Sequence, residues 1–105
     1  MEHLNKDELR GIIGSVYVKD FGNTKSANFS VVTEHCHTAQ GGCAVIETTW
    51  HRVLAWEGNQ IMNLDQLKKG SCVHVIGRIR TQKYIASDGT ERVVYEIIAS
   101  KVDLM

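Results

Sequence analysis

The chain predicts an all-β domain: a five-stranded Greek-key barrel with one short helix between the third and fourth strands. Three observations predict it. Most of the 105 residues lie in stretches that alternate apolar and polar side chains, the period of a half-buried strand. Turn residues separate those stretches, and with no proline the 9 glycines do most of the turn-making. One segment alone changes period. The length suits a single domain, residues 1–105, with one core.

The elements follow in order. "GIIGSVYV" (11–18) is β-branched and aromatic, with Ile12, Gly14, Val16 and Val18 expected on one face and Ile13 and Tyr17 on the outer one. "KDFGNTK" (19–25) holds the turn residues Gly22 and Asn23. "SANFSVVTEH" (26–35) sets Ala27, Phe29 and Val31 against Asn28, Ser30 and Val32. "TAQGGC" (38–43) is a glycine turn, so the strands around it form a hairpin, and "ETTWHRVLAW" is the third strand. In "NQIMNLDQLKKG", Ile61, Leu64 and Leu67 fall three apart. With Asn59 as N-cap and Gly70 as the closing glycine, that spacing predicts a helix of about two to three turns. "SCVHVIGRIRTQKY" (71–84) alternates again, Val73, Val75, Gly77 and Ile79 against His74, Ile76, Arg78, Arg80, Gln82 and Tyr84. A turn at Asp88-Gly89 leads to the last strand, "RVVYEIIASKVDL" (92–104). Three strands, a helix and two strands is the order of the oligonucleotide-binding fold, the OB-fold.

The interior of so small a barrel takes compact side chains. On the third strand these are Val53 and Ala55, and on the fourth Val73, Val75, Gly77 and Ile79. Trp50, Arg52 and Trp56 then point outward, as do Arg78, Arg80 and Tyr84. Both tryptophans of the chain are in that set. An aromatic and basic wall has a use: a flat ring stacks on any base without reading sequence, and a neighbouring cation neutralises phosphate. The other reading of the same rings is packing under a loop or between subunits.

Formal net charge is zero, but Gln66 to Ser87 holds Lys68, Lys69, Arg78, Arg80 and Lys83 and no acid. A neutral protein can present a basic stripe. Cys36, Cys43 and Cys72 are an odd set without framework spacing, so reduced thiols are expected. "HCHTAQGGC" lacks the repeated close pair of structural zinc, and no metal or other cofactor is expected. His51 has no nucleophile or acid partner in a catalytic pattern, and the chain reads as a non-enzyme. No apolar run approaches the roughly 18 residues of a membrane span. "MEHLNKDELR" lacks a secretory apolar stretch, so no membrane contact and a cytoplasmic address are expected.

The blocks "ANFSVVT", "TTWHRVLAW", "LKKGSCVHVIGRIRTQKY" and "DGTERVVYEIIASKVDLM" succeed one another over residues 26–105. In order and spacing they resemble the bacterial single-stranded DNA-binding protein family, with its "TeWHrv", "KGs-v-veGrlrt-kw" and "dG--r--tEi-a" strands. The resemblance implies sequence-tolerant binding and protection of single-stranded DNA in replication, repair or recombination. It implies stacking roles for Trp50, Trp56 and Tyr84, with His37 where the family often has another tryptophan. Arg52, Lys69, Arg80, Lys83 and Arg92 match its basic positions. It also implies self-assembly, as a tetramer or a dimer. Two departures stand out. The sequence lacks the family's long acidic-tipped C-terminal extension, so recruitment of repair enzymes through a tail is not expected. Its first strand lacks the "NKV-L-G-L--DPE-R" pattern. Together they imply a short paralogue, of mobile-element or primosome-accessory type. A protein–protein adaptor on the same barrel and a single-stranded RNA binder remain as alternatives, since no residue plainly reads a 2′-hydroxyl.

Overall fold

A computed structural model of the chain describes residues 3–58, 60–61 and 63–105. Five strands form: β1 (Asp7–Asp20), β2 (Lys25–Thr38), β3 (Ala44–Trp56), β4 (Cys72–Ile85) and β5 (Glu91–Leu104). They close into a barrel in the order β1-β2-β3-β5-β4. β1 closes it by using both its edges, pairing β4 through Asp7–Ile12 and β2 through Ile12–Asp20. All contacts are antiparallel except β3 with β5, where only Val53 and Leu54 pair, with Ile97 and Ile98.

The inward faces of β2, β3 and β4 are as the alternation predicts: Ala27, Phe29 and Val31, Val53 and Ala55, Val73 and Val75 are all buried. Leu9, Ile13, Ile97 and Val102 complete the barrel interior, with Leu64 and Leu67 from the connection before β4.

β1 departs from expectation. It starts at Asp7 rather than near Gly11, and Gly14 is an extra residue between the pairs Ile13–Val31 and Ser15–Ser30. Such a bulge reverses which parity faces inward. Leu9 and Ile13 point into the core before it, and Val16 and Val18 pack inward after it. Ile13, expected on the outer face, is therefore 1% exposed. The Ser15 N–H displaced by the bulge donates to Ser30 Oγ at 3.0 Å.

The helix is also shorter than its spacing implied. Among the described residues only Leu64–Gln66 are helical, as one 3₁₀ turn capped by the Asn63 side chain, which accepts from the Asp65 N–H at 3.0 Å. Asn59, the expected cap, lies outside the described residues. A spacing of three is the 3₁₀ repeat, and without an i+4 apolar partner nothing extends it into an α-helix.

Beyond the barrel the two hairpins run on as arms, because β3 and β5 diverge upstream of Val53 and Ile97. The β2–β3 ladder continues unbroken to Thr38–Ala44 and the β4–β5 ladder to Ile85–Glu91. Ile79, expected in the core, pairs with Ile97 at the point of divergence and is 45% exposed at the floor of the cleft between the arms.

Candidate nucleic-acid interface

β3 has no bulge, so its alternation survives intact. Trp50, Arg52, Leu54 and Trp56 share the outer face with their cross-strand partners Val32, Ser30, Asn28 and Ser26. Trp50 is 60% exposed and Trp56 45%. The indole of Trp50 reaches diagonally across β2 and rests over Gly14, where an added Cβ would meet its Cη2 at 2.8 Å. The bulge therefore makes the shelf that holds this ring. The turn carrying Lys68 and Lys69 docks on the same place: Gly70 donates to the Ile13 carbonyl at 2.8 Å, and Ile13 donates to Ser71 at 2.9 Å. Lys69 is thus brought to the neighbourhood of Trp50 from 19 positions along the chain.

Arg52 lines a groove of about 380 Å³ on this wall with Tyr17, Asn28, Ser30 and Glu96. Trp50, His51 and Arg52 also form one rim of the cleft of about 530 Å³ between the arms, opposite Val93–Ile97 of β5. His51 itself is held by Thr33, its ring Nε2 lying 2.9 Å from the hydroxyl.

The second group lies on the outer face of the β4–β5 arm. Arg78, Arg80 and Tyr84 pair across with Ile98, Glu96 and Arg92, so Tyr84 (47% exposed) and Arg92 are side by side. Here the pairing supplies the acids that the linear stretch lacks. The Arg80 guanidinium donates to Glu96 Oε1 from Nη2 and from Nε, the latter at 3.1 Å. Lys83 lies 3.7 Å from Glu91, and Arg92 3.9 Å from Asp88. Hydrogen bonds from the Thr90 hydroxyl and N–H hold the Asp88 carboxyl below its ordinary value, so it stays charged beside Arg92. Among the described residues, Arg52 and Arg78 have no such partner.

Two positions fall apart from the rest. Lys83 alternates to the cleft side of its arm, opposite Tyr84. His37 is on the cleft side of the β2–β3 arm, 6.0 Å from His35 ring to ring and 3.9 Å from Glu47. The sequence reading missed Phe21, which stacks on Trp56 with ring centroids 5.5 Å apart. Its signal was an aromatic residue inside the otherwise polar turn "KDFGNTK".

Two rings carried six residues apart on one strand, about 20 Å along it, can each take a base of an extended nucleic-acid strand while the intervening phosphates meet the arginine between them. The sequence profile described as the single-strand binding protein family matches residues 4–105. A single-stranded DNA-binding protein of Neisseria meningitidis serogroup A is 35% identical over 104 residues, spanning 97% of this chain and 60% of its own. The chain therefore spans less than two thirds of that relative. Single-stranded DNA-binding protein 1 of Xylella fastidiosa is 30% identical, over 100% of this chain and 79% of its own. Among solved structures, a Plasmodium falciparum SSB complex with ssDNA is similar at a TM-score of 0.85 and 30% identity, covering 100% of this chain and 96% of that one.

Proposed function

The chain belongs to the single-strand binding protein family, and from that premise we propose that it binds and protects single-stranded DNA with little sequence preference. The observation that carries this reading is the outer wall of β3, where Trp50 and Trp56 stand exposed on either side of Arg52, which no acid among the described residues pairs. Buried rings would argue for packing; open ones on a strand with a free cation serve bases and phosphates. The bound strand follows this wall and the outer face of the β4–β5 arm, with Arg78, Tyr84 and Arg92 as further contacts. Lys69 reaches it from the turn beside Gly14. Arg80 serves mainly to orient Glu96, and Lys83 and His37 meet the strand only where it crosses into the cleft.

The protein acts without catalysis or cofactor, in replication, repair or recombination, and in the cytoplasm. No helix among the described residues is long and apolar enough to cross a membrane. It works as a homo-oligomer, a tetramer or a dimer. Ile12 supports this, as the exposed apolar residue that β1 presents outward in place of Ile13. Light scattering should return a multiple of 11.8 kDa at micromolar concentration, and a monomer would remove the assembly from this reading.

Titration with oligo-dT tests binding directly. Stacking should quench the fluorescence of Trp50 and Trp56, whereas an adaptor whose rings meet another protein would show no change. Each phosphate contact on a single strand adds about 0.7 to the slope of log affinity against log salt. Arg52→Ala and Arg78→Ala should each flatten that slope by about this amount for every sequence tested. If both keep the wild-type slope, the strand runs elsewhere on the barrel.

A further inference from the structure

The β1–β2 turn is built more firmly than a solvent loop needs. Gly22 takes a φ of 90°, open to glycine and strained for other residues, and its N–H donates to Asp20 Oδ1 at 2.8 Å. The Phe21 N–H donates to the Thr24 carbonyl at 2.9 Å. The turn is then tied to the end of β3. The Lys25 N–H donates to Glu57 Oε1 at 3.0 Å, and the Glu57 N–H returns to the Lys25 carbonyl at 3.0 Å. The Lys25 ammonium reaches Asp65 in the 3₁₀ turn at 2.8 Å, a bond that raises the lysine above its ordinary value.

These ties hold Phe21 against Trp56. The rings are 26° from parallel with centroids 5.5 Å apart, and both stay about half exposed, at 47% and 45%. The Lys19 ammonium sits 5.0 Å from the centre of the Phe21 ring. Nothing in the core needs this arrangement, since neither ring belongs to the buried cluster.

We propose that Phe21 and Lys19 extend the DNA-binding wall beyond Trp56, as a two-ring platform with its own cation. The proposal rests on the single-strand binding reading above. A base continuing the stack meets a ring already immobilised by its neighbour, so little side-chain freedom remains to be lost on binding. Lys19 then lies where the next phosphate passes, and its position over Phe21 keeps it there in the free protein.

The test compares oligo-dT affinity and its salt slope in wild type, Phe21→Leu and Lys19→Ala. Leucine keeps apolar cover on Trp56 and removes the flat face. Phe21→Leu should bind roughly 5-fold more weakly, the low end for loss of a stacking ring, with the salt slope and melting temperature unchanged. Lys19→Ala should flatten the slope by about 0.7. A Trp50→Phe background isolates the Trp56 signal, and there Phe21→Leu should reduce the quench on saturation. If wild type binds oligo-dT and Phe21→Leu matches it in affinity and quench while Lys19→Ala keeps the slope, the platform is refuted and the wider function stands. If wild type does not bind at all, the function itself fails and the platform with it.

Discussion

Removing both indoles should cost more affinity than any other pair of changes on this surface. Trp50→Ala and Trp56→Ala are each expected to weaken oligo-dT binding by about 1 to 3 kcal/mol, the range for one stacked base. Six residues of extended strand separate the two rings by about 20 Å. At that distance substitutions add, so the double variant should lose roughly 2 to 6 kcal/mol. Trp50 is mostly exposed and Trp56 about half so, and both stand outside the buried core, so the melting temperature should move little. The salt slope should also hold, because no phosphate contact is removed. Equilibrium titration with fluorescently labelled oligo-dT measures the loss, and thermal melting by circular dichroism checks the fold. Unfolding of either single variant, or unchanged binding by the double variant, would show that the rings serve packing.

A single methyl group in the core should cost far more stability than any change on the binding wall. Gly77 is buried in β4, opposite the point where Ser100 bulges out of β5. A Cβ at Gly77 would press on the Ile98 carbonyl oxygen, lie 2.9 Å from the carbon of that carbonyl and 3.0 Å from the Ala99 Cα. All of these are backbone atoms and cannot rotate aside, so the β4–β5 ladder itself has to part. Overpacking against movable side chains costs about 1 to 3 kcal/mol, and here the upper end is the floor. Gly77→Ala should lose about 3 kcal/mol or more, which for a domain of this size lowers Tm by roughly 15 °C. Gly58→Ala is the control: its φ is not in the left-handed region and its nearest neighbour would be 4.0 Å away, so its Tm should match wild type. Equal melting of Gly77→Ala and wild type would mean the bulge absorbs the methyl group.

The sequence by itself determined the five strands, the inward set on β2 and β3 and on β4 as far as Gly77, and the outward line Trp50, Arg52, Trp56. Alternation is a local property, enforced by the pleat at every residue, and it stays readable wherever a strand pairs without interruption, as β2 and β3 do from Ser26–Trp56 to Thr38–Ala44. What the tertiary structure alone decided lies where that condition fails. Gly14 and Ser100 are extra residues only relative to a partner strand, so no pattern within β1 or β5 could announce them, and the inward turn of Ile13 and the shelf under Trp50 follow from the first. Arg80 meets Glu96 across 16 residues because of strand register, which cancels a charge that the linear stretch leaves free. Phe21 reads as a turn residue until the β2–β3 ladder, which sets Ser26 opposite Trp56, brings the β1–β2 turn to the end of β3 and its ring onto Trp56. Each is a contact between strands, and its energy depends on which residues the whole fold places opposite one another.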